Sequence, residues 1–410
     1  MSAGAVSVLQ AYTVGATGTE DRGTAADPLT AVNATLLLNY SATMAANKYG
    51  ATYAAGSRCQ HYGKTRTRKT TTTGALTAGA TSFTVVDATG WADGDSLLIF
   101  PTATGASQTV LEQRTIAAGG VSGNTITITS GLTNSKLSGA YVANLTSNIR
   151  TADFNTSFGA AVTTFSAGSG GLLGDKTINH SEWVNAQTAF GTFYIITSVT
   201  AAGQPVQFTA TGSTFRSSSG FTGVNASGIL PPVLTDCVLF ADGNSSATSA
   251  LSPNPVTATR CVIAASQRTA LALPTSGTSP ARSGDITDSL IYGFTSPLTL
   301  LTCSGSIRNN VIYAGRSSAG PANIGSPGIM WDSNNFGPFA MVPASQLAWT
   351  DVNGSTTFRS TTWANSAIAP NYGATPGARV TSTFGSYTGG ATNKHEIWDN
   401  QGYAYADTTT

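Results

Sequence analysis

Along residues 205–316 the alternation of polar and apolar positions returns as one short phrase with changing letters. It reads GSTF at Gly212–Phe215, DCVL at Asp236–Leu239, RCVI at Arg260–Ile263, DSLI at Asp288–Ile291 and NNVI at Asn309–Ile312. In each, a small or polar residue (Ser213, Cys237, Cys261, Ser289, Asn310) stands two places before a large apolar one (Phe215, Leu239, Ile263, Ile291, Ile312). Successive phrases lie 24, 24, 28 and 21 residues apart. Side chains two apart on a strand share a face, so every phrase offers the same pair to one interior. A strand-plus-turns unit of this length is the mark of a solenoid, and the unequal steps suit loops that bulge outward at low entropic cost. A β-sandwich also uses short alternating strands, but gives no reason for one inward pair to recur about once per coil. The pattern predicts a right-handed parallel β-helix in which Cys237 and Cys261 are stacked neighbours, with Ser213 above and Ser289 below. It also turns Val238, Leu290 and Val311 outward, as an apolar stripe that a long loop or a second subunit must cover.

Other stretches keep different periods. Leu29, Val32, Leu36, Leu37, Tyr40 and Met44 recur near helical spacing after Asp27-Pro28, which predicts an amphipathic helix with an N-cap and a first-turn proline. Such a helix would cover the open end of the solenoid. Phe83 with Val85, Leu97 with Ile99, Ile116, and Ile126 with Ile128 alternate between polar residues. Gly90 and Gly94, then Gly123 and Asn124, supply the turns of short antiparallel strands.

Composition narrows the class. Only 10% of the 410 residues are charged, against roughly 25% in an average globular chain, while glycine numbers 45. This is a turn-rich β composition, and so little charge argues against a freely circulating monomer. A formal charge of +1 gives no footing for nucleic acid. No apolar run approaches the roughly 20 residues that span a bilayer, and no basic-then-apolar leader marks the start as a secretory signal. Cys59, Cys237, Cys261 and Cys303 are too scattered for a disulfide framework or a paired zinc site.

Between residues 73 and 155 the order of Trp91, Gly94-Asp95, an apolar strand, Glu112, Ile116, the Gly123-Asn124 turn, Leu132, Gly139 and the string VANLTSNI resembles the eight-glycine domain. That domain leads into right-handed β-helices in extracellular proteins of the polycystic-kidney and hyaluronan-degrading type. This chain departs from it at Ser147, where the family usually has Arg, and in KLSG at Lys136–Gly139, which lacks the family's His. The resemblance implies a β-helix and carries over no catalytic residue. Joined to low charge, Gly/Thr/Ala richness and the missing leader, it points to a tailed-phage virion protein.

The candidate chemistry is sparse. Elongated viral β-helices often cleave polysaccharide, so Asp236 and Asp288, at equivalent positions two coils apart, are the candidate carboxylate pair. Arg260 falls between them and would hold both ionised, which removes the protonated acid that hydrolysis needs. In the cluster Lys64, Arg66, Arg68 and Lys69, alternation on a strand would put Lys64, Arg66 and Arg68 on one face. That face suits phosphate or acidic polysaccharide, or else it is a solvated strand face or a salt-bridged contact with a neighbouring subunit, and no aromatic alternates with it to stack bases or sugars. His61, His180 and His395 lack partners at metal-ligand spacing, and His180 near Glu182 reads as structural. No metal or cofactor is expected. Trp331, Trp349, Trp363 and Trp398 concentrate in the last stretch, as an inter-subunit contact or a sugar-stacking platform.

The expectation is an all-β chain divided into a lead with one short N-terminal helix (1–72), a small β-rich module (73–155), the parallel β-helix (156–318) and an aromatic-rich end (319–410). Its expected role is a non-enzymatic subunit of a phage-like particle: a head decoration, fibre or tail-associated protein. Such a subunit would be made in the host cytoplasm, assemble as a homo-oligomer with other virion proteins and contact cell-surface polysaccharide. It would neither enter a membrane nor bind nucleic acid. The alternatives are a tailspike-type polysaccharide hydrolase or lyase, and a carbohydrate-binding module built on the C-terminal aromatics.

Overall fold

The computed structural model describes residues 6–9, 12–14, 18–38, 51–53, 57–102, 111–153, 162–166, 176–185 and 192–197. From there it describes the strands and corners 208–217, 224–228, 232–242, 249–252, 256–266, 269–273, 283–293, 296–300 and 304–314. Short strands follow at 322–324, 328–332, 335–336, 349–351, 356–357, 396–399 and 402–405. The chain is all-β. Three long sheets, almost wholly parallel, take one strand from each coil in turn, which is a parallel β-helix. One coil runs from Val233–Thr235 on the third face to Val238–Ala241 on the first and Ser249–Ser252 on the second. It then returns to the third at Thr257–Thr259.

The repeated phrase is the first face and the corner that leads into it. Phe215, Leu239, Ile263, Ile291 and Ile312 pair in register and are all fully buried, one above another. Ala210, Leu234, Ala258 and Ile286 of the third face are likewise buried, stacked in register one above another. Parallel strands buried on both sides read as near-continuous apolar runs, as in VLFA at Val238–Ala241 and VIAA at Val262–Ala265.

The predicted N-terminal helix is not there. Ala34–Leu38 is a strand, paired in parallel with Val6–Leu9 on one side and Ile149–Asp153 on the other. Its apolar residues satisfy both periods: Leu29, Val32 and Leu36 fit a helix, but Ala34 and Leu36 also alternate, and both are buried. A ladder on each edge gives this stretch more partners than a lone helix would have, so tertiary pairing overrides the local period. Tyr40 and Met44, the rest of that pattern, lie outside the described residues. The coil stack thus begins earlier than its sequence repeat does. Val6–Leu9, Tyr12–Val14 and Thr19–Arg22 take one place in each face. Ala34–Leu38, Ala51–Tyr53 and Arg58–Tyr62 take the next.

Between the second coil and the third, residues 69–144 form a separate six-stranded antiparallel sheet. Its order is Lys69–Thr71, Tyr141–Asn144, Ser96–Ile99, Glu112–Ser122, Thr125–Ile128, Ser82–Thr84. The predicted turn stands: Ser122 pairs with Thr125 around Gly123-Asn124. Phe83, Val85, Leu97, Ile99, Ile116 and Ile126 share one core with Trp91. The other side of this module lies on the coil stack. Leu98, Phe100, Ala143 and Leu145 pack against the outward Val238, Phe240, Leu290 and Tyr292, with Val311 at the margin, and the Phe100 ring meets Tyr292 edge-on at 5.7 Å. The outward apolar stripe is therefore covered by this chain itself, and Val238 and Leu290 have no surface left for a second subunit.

Candidate functional site

From Lys176–Asn179 to Val311–Ala314, each passage from the third face to the first is a tight corner of one or two residues between the strands. The first corner residue adopts a left-handed backbone: His180, Gly212, Asp236, Arg260, Asp288 and Asn309 all have φ between 52° and 55°. Its N–H reaches up to the strand end of the next coil, as in Gly212 N to Thr235 O at 2.8 Å, Asp236 N to Thr259 O at 3.0 Å and Arg260 N to Thr287 O at 3.0 Å. The second corner residue points inward and explains the small polar half of the repeat. The Ser289 hydroxyl accepts from Cys261 N at 2.9 Å, and the Asn310 side chain accepts from Ser289 N at 2.8 Å and donates to Ile286 O at 2.9 Å. These side chains satisfy backbone groups that the bend takes out of the ladder. Cys237 and Cys261 sit in this column, stacked and buried between Ser213 and Ser289, as the repeat predicts.

The left-handed column faces a connector, Thr65–Lys69, that links the second coil to the module, and the two enclose a groove of about 520 Å³. The connector's basic residues do not form the single strand face that alternation suggested. Arg66 is buried in an ion pair with Asp95, whose carboxylate also accepts from Asn144. Arg68, 3% exposed, donates to the carbonyls of Gly212 and Thr146 at 2.6 Å each and to the Ser147 hydroxyl. It pins the module's end to the coil corner. Burial lowers its pKa to about 10, with Arg66 beside it acting in the same direction. Lys69 is half-buried and donates to the Asp288 carbonyl at 2.8 Å; burial lowers its pKa also.

Of the two candidate carboxylates, Asp236 accepts from Nε and Nη2 of Arg260, at 2.8 and 2.7 Å. This contact raises the pKa of Arg260. Asp288 is exposed at the groove rim beside Lys69. At roughly 4.8 Å per coil the backbones of the two residues are about 10 Å apart, with Arg260 on the coil between them. A glycosidase must keep one carboxyl protonated near neutrality, and an adjacent guanidinium opposes that.

His180 also lines the groove, its Nε2 3.4 Å from the Thr65 hydroxyl. Burial, and then Arg68 nearby, lower its pKa. Glu182 is not its partner: it is buried, takes the Ser147 N–H at 3.2 Å and pairs with Arg150 at 3.3 Å, and burial raises its pKa. His61 lies inside the coils, stacked 5.1 Å from the Trp183 ring and bonded to Glu20 at 3.1 Å. Among the described residues, no group of three or more His, Cys, Asp or Glu side chains is placed to hold a metal. Trp331, Trp349 and Trp398 fall in the strands Gly328–Asp332, Trp349–Asp351 and Glu396–Asp399, while Trp363, His395 and Cys303 lie outside the described residues. The sequence pointed to Asp236, Arg260 and Asp288 but missed that Lys69 and His180 join them. No local signal links Lys69 to the corners, and His180 joins them because Asn179 pairs with Thr211, which sets His180 level with Gly212.

No family model and no curated protein matches this chain. Among solved structures it is similar to the tailspike protein gp49 from Pseudomonas phage LKA1, at 12% sequence identity and a TM-score of 0.25, over 80% of this chain and 67% of that one. A second is the Gp54 tailspike of Acinetobacter baumannii bacteriophage AP22 in complex with A. baumannii capsular saccharide, at 13% identity and a TM-score of 0.20, over 81% and 62%. A third is the Pseudomonas phage phi297 tailspike gp61, at 12% identity and a TM-score of 0.21, over 74% and 63%. The chain thus spans less than two thirds of the second and third of these. Scores this low define no common chain path, and the β-helix rests on the strand registers of this molecule alone.

Proposed function

We propose that this chain is a non-enzymatic structural subunit of a phage-like particle, tail-associated, fibre or decoration, that meets the host surface along its coil corners. The observation that carries the non-enzymatic part is the corner column: the one carboxylate flanked by its neighbours, Asp236, is held in a two-point ion pair with Arg260. Around it the backbone corners are bonded coil to coil, which makes a stiff shaft. Low charge and the Gly/Thr/Ala-rich composition support the particle setting. In this reading the chain works as a homo-oligomer, through surfaces other than the stripe that its own module covers.

The test is incubation of the full chain with purified capsular polysaccharides, reading reducing ends. No release is expected, together with a solution mass by light scattering above that of the 41.7 kDa chain. A second reading, a tailspike-type hydrolase or lyase, is favoured by one feature, the exposed Asp288 carboxylate beside Lys69 in the groove. Release of reducing ends that Asp288→Asn abolishes would install that reading in place of the first.

A further inference from the structure

The outward side of the third face is threonine-rich and regular. Asn179, Thr211, Thr235, Thr259 and Thr287 are stacked in register, all half-buried, one per coil at roughly 4.8 Å. A second column, Thr177, Thr209, Val233 and Thr257, runs two residues back on the same face. Strand propensity alone favours threonine here, so the array by itself says little. Its edge says more. The first column is joined directly to the left-handed corners, and Thr211 is itself part of the groove wall.

Across the groove, the cations outnumber the acids. Arg66 is matched by Asp95, and Arg260 by Asp236. That leaves Arg68, whose donors go to carbonyls and a hydroxyl, and Lys69, whose ammonium goes to a carbonyl. The acids nearest Arg68, Glu182 and Asp95, are already paired with Arg150 and Arg66, and those nearest Lys69 are the Arg260-bound Asp236 and the exposed Asp288. Burial lowers the pKa of both cations, as expected for charge lacking a full counter-ion. Among the described residues, no Phe, Tyr or Trp lines the groove to stack a nucleobase.

We propose that the groove and the threonine column form one strip that binds a linear acidic polysaccharide. An anionic group of the sugar sits against Lys69, within the field of Arg68, and sugar hydroxyls exchange hydrogen bonds with Thr211, Thr235 and Thr259 as the chain follows the coil axis. Carboxylate and sulfate share the required chemistry. This deepens the proposed host-surface contact and rests on it.

The test is calorimetric titration of the full chain with oligogalacturonate as the carboxylated probe and heparin oligosaccharide as the sulfated one. Dextran is the neutral control, and oligoglutamate is the acidic control without sugar. Binding of at least one acidic glycan is expected, with dextran and oligoglutamate about tenfold weaker or more. Lys69→Gln, and Thr235→Val combined with Thr259→Val, should each weaken the acidic glycan about tenfold while circular dichroism and Tm stay unchanged. Preference for oligogalacturonate over heparin, or the reverse, identifies the acid. Equal affinity for dextran or oligoglutamate, no binding of either acidic glycan, or indifference to both variants overturns the proposal. Detection of the chain in purified particles reports separately: a particle-borne chain that binds neither acidic glycan sinks the strip alone. A chain that binds but is absent from particles sinks the structural-subunit reading alone.

Discussion

The corner residues show how one backbone requirement accepts different side chains at different cost. Gly212 occupies the left-handed position with φ 55°, and a Cβ there would lie 2.3 Å from Nδ1 of His180 in the coil before. Both effects act together in Gly212→Ala, which should lose about 2–4 kcal/mol, of which roughly 1–2 is the left-handed backbone and the rest the clash. Urea unfolding followed by circular dichroism measures it. Arg260 at φ 55° tests the opposite case. Replacing it by Gly relieves about 1–2 kcal/mol of backbone cost and forfeits an exposed ion pair to Asp236 worth about 0–1 kcal/mol. Arg260→Gly should therefore be neutral or stabilising, and a clear loss of stability would show that the pair matters more than its exposure suggests. The repeat showed these positions as a column; it did not show the sign of φ, since Asp, Asn, His and Arg stand where glycine is the usual choice.

At the level of elements, the connector decides how the module sits. Arg68→Met removes a buried cation, which returns its desolvation cost, but it leaves the carbonyls of Gly212 and Thr146 without their donor. At about 1 kcal/mol or more for each abandoned acceptor, the loss should be about 2–3 kcal/mol. Faster amide exchange in Tyr141–Asn144 and in the corner at Gly212, with the distant coils unchanged, is the expected pattern. The sequence showed the basic run but not its burial. Alternation assigned Lys64, Arg66 and Arg68 to one strand face, whereas residues 64–68 form no strand and the partners, Asp95, Thr146 and Gly212, come from three remote stretches. The helix predicted near residues 28–44 failed for a related reason, because Ala34–Leu38 takes its ladders from strands that precede and follow it along the chain.

Across the whole molecule, the buried histidines set a pH dependence. Burial, and then Arg22, lower the pKa of His61, against the opposing hydrogen bond from Glu20; His180 is lowered by burial and Arg68. The unfolded chain therefore takes up these protons first, and stability present above the ordinary histidine value, roughly 6.5, is lost as the pH falls below it. Tm should drop between pH 7.5 and 5.5, and the drop should be smaller in His61→Gln and smaller again when His180→Gln is added. Glu182 acts in the other direction, since its raised carboxyl takes its proton first in the folded state, so its contribution grows as the pH falls further. A Tm that rises on acidification to pH 5.5 would contradict the dominance of the histidines.

The inward side of this fold was written in the sequence. An interior stack needs the same pair of side chains in every coil, and a strand has only two faces, so GSTF, DCVL, RCVI, DSLI and NNVI are enough to place Cys237 on Cys261 and Leu239 on Ile263. The outward side was not. Val238 and Leu290 demanded a cover, but whether that cover was a loop, a module or a second subunit depended on how the segment at 69–144 folds back. Nothing local encodes such a return. The groove is the same kind of object: Lys69, His180 and Asp288 are far apart along the chain, and only the docking of the connector against the corners brings them to one place. Periodic contacts repeat a rule that a single strand can state, while contacts between unlike elements depend on the relative position of both, which exists only once the chain has folded.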